Sequence, residues 1–477
     1  MNIIEQDTYQ SDTKGQKSLS DNYQQVSTVK MKDKTVSGFS KLSKRGKLRW
    51  VAEHFFKDPE RVMQELKSFW HKDEKQQKIL DDFSENTISN FVLPYGVAPN
   101  LMVNDKAYAV PMVIEESSVV AAASSAAKFW LSRGGFRAEV LDTQKLGQVH
   151  FSWKGENQKL KALFPLIEKK LRAEAASLSK NMENRGGGVL SIQLLDLTAL
   201  EADYYQLKVA FETCDSMGAN FINSILEQFG QSLQQFLAQQ TDLREEEREV
   251  DIIMAILSNY TPDCLVRVWV ECPIQELKGA CKDLDAASFA EKFSKAVRIA
   301  RLDPYRATTH NKGIFNGIDA VVLATGNDFR AIEACGHTYA ARDGQYRSLS
   351  QCEIKDDTFK FWMDIPLALG TVGGLTKLHP LAHRSLELLG HPNAQELMMV
   401  IAATGLAQNF AAVRSLVTTG IQQGHMKMHL LNILNHLGAN EQEVKEAIVY
   451  FKGRVVSFTS VREFLDWARG ITPTLAE

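Results

Sequence analysis

Four separated segments of this chain each carry one side chain able to do acid–base or electrostatic work. They are VPMVIEESSVVAAAS around Glu116, HNKGIFNG around Lys312, ATGNDFRA around Asp328 and IQQGHMKMH around His425. A carboxyl group in an apolar cleft can hold and donate a proton near neutrality. A fixed cation can steady a developing oxyanion. An imidazole titrates in the physiological range. With a second carboxylate, this set suits the reduction of an acyl thioester through an aldehyde to an alcohol.

Each segment also has an ordinary reading. Glu115 and Glu116 follow a β-like run and precede a helix, where a carboxylate is stabilised by the helix dipole. Lys312 lies in THNKGIFNGID, read as a loop, and a loop lysine is usually just solvated. Here Arg306 precedes it and Asn316 follows, which makes a cluster of donors. Asp328 follows GIDAVVLATG, read as a buried strand ending in a glycine turn, so it occupies either a catalytic strand end or a helix N-cap. His425 and His429 are four apart, as are His379 and His383, but no HExxH and no third ligand accompany them, so no metal is expected. The glycine runs 185–188 and 370–374 fit neither GxGxxG nor a P-loop. DSMGAN, Asp215 to Asn220, opens a helix whose amides suit a phosphate or an ordinary cap.

The elements that must position these groups come next. The chain has 477 residues and a formal net charge of −3, so it holds several domains and no broad nucleic-acid or membrane surface is expected. The polar N-terminus lacks an apolar core for a leader, and no apolar run is long enough to span a bilayer. The six cysteines form no CxxC pair and are expected to be free thiols in the cytoplasm. Residues 1–36 form a polar arm, expected to be disordered. Helical spacing follows, then extended segments around 92–113 with a hairpin turn at Asn104–Asp105–Lys106. A small-residue helix spans about 117–131. From about 140, strand, helix, strand, strand and a long amphipathic helix alternate to about 255, the texture of an inserted α+β subdomain. The charged run LREEEREVD is expected to be a solvated face. DFRAIEACGHTYAAR is expected to be a helix, and FWMDIPLALGTVGG a strand entering a glycine turn.

In this order the motifs GFSKLS, ENTISN, VPMVIEESS, DSMGAN, RATTHNKGIFNG, ATGNDFRA, GQYRSL, GTVGG, GLAQNFAA and GIQQGHM resemble those of hydroxymethylglutaryl-coenzyme A reductase, class II, the soluble bacterial type. The resemblance runs from about Gly38 to the C-terminus. It implies a mixed α/β (α+β) fold. A large substrate- and coenzyme A-binding domain would comprise 37–141 and 256–420. A small non-Rossmann dinucleotide-binding domain would be inserted at 142–255, and a helical flap at 421–477 would carry the histidine. It implies Glu116, Lys312, Asp328 and His425 as catalytic residues. Ser118, Arg306, Asn316, Gln408 and Asn409 would serve the hydroxymethylglutaryl portion, and Asp215, Met217, Gly218 and Asn220 the dinucleotide. It further implies a homodimer, or an assembly of dimers, with active sites at subunit interfaces. The lysine in HNKG is characteristic of class II. The family's EEPS is EESS here, and its DAMGAN is DSMGAN.

The implied reaction is a four-electron reduction of 3-hydroxy-3-methylglutaryl-coenzyme A to mevalonate and coenzyme A. Lys312 would stabilise the oxyanion, and His425 would protonate the coenzyme A thiolate. Glu116 would supply the proton for the aldehyde step, with Asp328 hydrogen-bonded near Lys312 and Glu116. The same enzyme running backwards, in mevalonate catabolism, and a non-catalytic acyl-thioester-binding homologue are the alternatives. The hydride source is NADH or NADPH. The residues around Lys180 to Arg185, with Glu183 between them, are where that choice is expected to lie.

Overall fold

The computed structural model describes residues 34–418 and 430–471. The chain separates into two compact units, Met1–Val92 and Leu93–Glu477. The described part of the first unit is helical, with α1 (Lys44–Phe55), α2 (Pro59–Ser68) and α3 (Glu74–Asp81). Side chains of Ser43, Asp58 and Asp73 accept from the first free amides of these helices, which fixes where each begins.

The second unit opens with a hairpin, β1 (Tyr95–Val103) and β2 (Lys106–Val113). Asn104 and Asp105 both take positive φ, 49° and 65°, as a two-residue type I′ turn demands. The hairpin leads to α4 (Val119–Leu131), whose Ala123, Ala126, Ala127 and Trp130 are buried. β3 (Arg137–Val140) then ends the first run.

Next come β4 (Lys145–Ser152), α5 (Asn157–Glu183), β5 (Gly188–Asp196), β6 (Tyr204–Glu212), α6 (Ala219–Ala238), α7 (Glu245–Arg248) and β7 (Asp251–Ser258). The four strands pair antiparallel in the order β5-β6-β4-β7. Alternate residues of β6, Tyr205, Leu207, Val209 and Phe211, point to one face. Against them pack Leu160, Ile167 and Leu171 of α5 and Ile222, Phe229 and Leu233 of α6, at helical spacing. This layer therefore has a core of its own.

β8 (Leu265–Pro273), α8 (Ala286–Leu302), α9 (Pro304–Ala324), α10 (Phe329–Ala340), β9 (Ser350–Lys355) and β10 (Thr358–Pro366) follow. They build a second antiparallel sheet, β3-β8-β10-β9. The short α11 (Leu375–Leu378), α12 (Pro380–Leu388) and the long α13 (Ala394–Val417) come next. Among the described residues α13 is the helix long and apolar enough to cross a membrane, but 83% of its most apolar 18-residue stretch is buried, and it forms the centre of the main core. Phe293, Phe359, Phe361 and Phe410 meet there edge-on or tilted. A last small cluster joins α14, over 430–436, to α15 (Glu441–Tyr450) and α16 (Phe458–Ala468).

Three expectations fail. The run GIDAVVLATG is not a strand: it is the C-terminal half of α9, and Lys312 sits in the middle of that helix rather than in a loop. Gly317, Ile318, Ala320, Val321, Val322 and Ala324 are all buried. A helix buried on every side has no polar face, so its period cannot be told from that of a buried strand. Gly317 is where α9 crosses α13. A Cβ there would lie 2.8 Å from Gln408 Cβ and 2.9 Å from the Thr404 carbonyl oxygen. The charged run 243–251 is not wholly solvated either. Glu247 is fully buried, because it closes a capping box with Arg244 and accepts from Lys159 at 2.8 Å.

Candidate active site

Glu116 lies in the short connection between β2 and α4. Ser118, the residue before α4, makes no side-chain cap; its hydroxyl donates to Glu116 Oε1 at 3.1 Å. The other carboxylate oxygen, Oε2, accepts from Lys312 Nζ at 3.1 Å and from Asn316 Nδ2 at 3.3 Å. Lys312 and Asn316 are four apart on α9, so the helix itself presents them side by side. Two elements nearly 200 residues apart thus converge on one carboxylate.

The Lys312 side chain is 63% exposed and that of Glu116 32%. An ion pair this open contributes about 0–1 kcal/mol to folding. Stability therefore gives little reason for the arrangement. What it supplies is a mobile ammonium whose reach is fixed by a rigid helix, next to a carboxyl group already held by two neutral donors.

In its N-terminal half, α9 buries two polar side chains, His310 and Asn311, that tie it to its neighbours. His310 Nε2 meets Ser350 Oγ at 2.6 Å, and Ser350 Oγ donates to Asn409 Oδ1 at 2.8 Å. Burial, with the Arg306 charge added to it, pushes the His310 imidazole down to about 3, so it is neutral. Asn311 spans the Arg347 carbonyl and the Leu349 amide. Asn409 thus acts on α9 through Ser350 and His310, while Gln408 packs at the Gly317 crossing, one residue beyond Asn316. Arg306 is half-buried on the same helix. His310 and Ser350 were not singled out in the sequence: no local pattern marks a buried histidine as a support for a lysine on the opposite face.

Asp328 is the N-cap of α10, the ordinary reading of TGND. It follows a helix end, not a strand end. Its carboxylate accepts from the amides of Arg330 and Ala331 and from the Arg330 guanidinium at 3.0 and 3.2 Å. Burial works to raise this carboxyl, but the hydrogen bonds outweigh it and hold it below the usual carboxylate range. These contacts are not the Lys312–Glu116 contacts expected of it.

Asp328 instead lines a cleft of about 790 Å³ with Met217, Gly218 and Asn220 of DSMGAN, Arg185, Arg330, and Gly370 and Val372–Thr376 of the GTVGG turn. That size is typical of small-molecule and cofactor sites. The lining includes none of Glu116, Lys312 or Asn316. Gly218, in left-handed conformation, starts α6 with no side-chain cap, so the first amides of α6 are left for something else. Asp215 departs from the other three. Its Oδ1 accepts from the Ala394 amide at 2.8 Å, and it lines a separate pocket of about 360 Å³. His379, of the second histidine pair, caps α12 through Nδ1. His425 and His429 lie outside the described residues.

A lysine–carboxylate pair and, apart from it, a glycine-lined, arginine-flanked cleft suit an oxidoreductase of the dinucleotide-dependent kind. The comparisons with known proteins name it. The family model described as hydroxymethylglutaryl-coenzyme A reductase matches residues 47–430. The 3-hydroxy-3-methylglutaryl-coenzyme A reductase of Archaeoglobus fulgidus is 36% identical over 416 residues, covering 87% of this chain and 89% of the relative. A solved 3-hydroxy-3-methylglutaryl-coenzyme A reductase from Streptococcus pneumoniae matches with a TM-score of 0.66 at 37% identity, covering 91% of this chain and 99% of that one. A class II reductase from the same organism, bound to NADPH in open conformations, matches at 38% identity with a TM-score of 0.65, covering 80% and 99%. This chain belongs to the hydroxymethylglutaryl-coenzyme A reductase family, in its class II branch, and is an NAD(P)H-dependent oxidoreductase.

Proposed function

We propose that the protein reduces 3-hydroxy-3-methylglutaryl-coenzyme A to mevalonate and coenzyme A at Glu116, Lys312, Asp328 and His425. The observation that carries this is the convergence of Lys312, Asn316 and Ser118 on the Glu116 carboxylate. Two reduced dinucleotides, bound one after the other, would each supply one hydride, the first to the thioester carbonyl carbon and the second to the aldehyde carbon. The free first amides of α6, with Arg185 and Arg330, fit the dinucleotide's phosphates.

The chain's own groups do the rest. Lys312 leaves Glu116 Oε2 to donate to the thioester carbonyl oxygen as negative charge builds there. Asn316 and Ser118 keep the Glu116 carboxyl in place, so that it hands a proton to the alcohol oxygen in the second step. His425 protonates the departing coenzyme A sulfur, which prevents re-addition to the aldehyde. His425→Gln accordingly slows thioester reduction more than mevaldehyde reduction. Equal losses in both half-reactions, followed by dinucleotide oxidation, would remove this role.

We further propose a homodimer in which the Asp328 cleft of one subunit serves the Glu116–Lys312 site of its partner. Asp328 and the cleft lie together in one chain, while the lysine pair is built separately, and a two-fold pairing supplies the missing approach. For the hydride source, NADPH is favoured over NADH. Arg185 and Arg330 line the cleft, and the acid between Lys180 and Arg185 is turned back, since Glu183 accepts from Ser179 at 2.5 Å. A cationic residue near the adenosine ribose suits a 2′-phosphate. Rates with the two cofactors at equal subsaturating concentration check this; a preference for NADH contradicts it.

A further inference from the structure

One buried cation in the molecule has no part in the chemistry above. Lys145, at the start of β4, is 4% exposed. A lysine persists in such a place only when its protons are met by oxygen. Burial draws its ammonium below the usual lysine range, opposed by the nearby Cys264, Glu212, Cys214 and Asp215.

Its Nζ donates to the Ser216 carbonyl oxygen at 2.9 Å and also contacts Thr213 Oγ1. Thr213 Oγ1 in turn donates to the same carbonyl at 2.6 Å. Ser216 is the second residue of DSMGAN. Gly218, two residues on, sits at φ 83°, and a Cβ there would collide with Thr213. The Lys145–Thr213 couple therefore lies directly beneath the turn that starts α6. Elsewhere the turn is held by backbone donors: the Thr371 amide on the Asp215 carbonyl at 2.8 Å and the Ala394 amide on its carboxylate at 2.8 Å. Lys145 is the charged donor that fixes it from below.

We infer that Lys145 is a positioning residue for the dinucleotide: by holding the Ser216 carbonyl it aims the first amides of α6 into the cleft. This rests on reading that cleft as the dinucleotide site. Lys145 is absent from the lining of that cleft and lies beside Asp215 in the smaller pocket, so it would act on the dinucleotide through the Ser216 carbonyl.

The test uses Lys145→Met in the full-length protein, with steady-state kinetics against NADPH and against the thioester. Losing a hydrogen bond from a charged group weakens an interaction by about tenfold or more. The dinucleotide KM should rise by at least about that factor, while the thioester KM, and kcat at saturating dinucleotide, stay within about threefold. An unchanged dinucleotide KM, or an equal rise in both KM values, overturns the proposal. Should Lys145→Met not fold, Thr213→Val, of the same shape without the hydroxyl, takes its place with the same expected direction and the same overturning result. Ala219→Trp, which plugs the cleft, separates the two readings. If it too leaves the dinucleotide KM unchanged, the cleft is not the cofactor site. If it raises that KM while Lys145→Met does not, only the role of Lys145 falls.

Discussion

Lys312 is the residue on which the chemistry turns. It is exposed, it faces Glu116, and its helix is anchored from behind by His310, Ser350 and Asn409. Removing an oxyanion donor typically lowers kcat about 100- to 1000-fold. Lys312→Ala should show a loss of at least that size with an unchanged circular dichroism spectrum and melting temperature, because an open ion pair adds little to folding. A collapse of the fold, or near-normal turnover, would contradict the assignment. At this scale the sequence was informative about residue types and poor about contacts. Glu116, Ser118, Lys312 and Asn316 come together as a set, whereas Asp328 bonds to Arg330, two residues away. A strand-end reading of TGND could not reveal that, since N-cap and catalytic aspartates share the same local pattern. Lys145 stood in TQKLGQV as one more lysine, and only the strand's burial makes it significant.

At the scale of elements, α9 decides the site, and two of its residues make it testable. Gly317 lets α13 approach closely enough for Gln408 to pack against it. Gly317→Ala should lower stability by about 1–3 kcal/mol through overpacking, seen in chemical denaturation, even though alanine favours helices. A stabilised variant would mean that the crossing is looser than described. Asp319, seven residues beyond Lys312, is pushed up to about 8 by burial and then by the charge of Glu333 on α10. Its folded value lies above its unfolded one. The stability linked to it is therefore complete below the usual carboxylate range and is lost as pH rises toward about 8. Asp319→Asn should flatten the decline in unfolding free energy between about pH 4 and pH 8, the window from the ordinary aspartate value of 3.8 to the raised one of about 8. An unaltered pH profile would show that other groups govern it. α9 was also the element least legible in the sequence. Gly313 and Gly317 argue against a helix, and the apolar run after them has no period. The hairpin turn at Asn104–Asp105 and the helices α4, α5, α6 and α10 were legible, because turn chemistry and one-sided burial leave a local trace.

For the whole molecule, the separation of the Lys312 site from the Asp328 cleft is the feature to explain, and the proposed shared dimer site would account for it. Mixing two inactive variants, Lys312→Ala and Asp328→Ala, under conditions of subunit exchange should then restore activity. Each hybrid dimer regains one intact site of its two, so about a quarter of parental activity is expected at statistical exchange. No recovery, in a mixture proven to contain hybrids, would mean that Lys312 and Asp328 serve a site within one chain. The cleft lies where the β4–β7 layer, with its own core, meets the end of α9, the start of α10 and the 370–376 turn of the main body.

The central claim is the four-electron reduction, and its most direct test is stoichiometry. Purified protein is mixed with hydroxymethylglutaryl-coenzyme A and NADPH or NADH, and absorbance loss is followed alongside released thiol. Two reduced dinucleotides oxidised per thiol is the predicted result. One per thiol would mean that reduction stops at the aldehyde. No oxidation with either dinucleotide, from folded protein that still binds the thioester, would contradict the account outright.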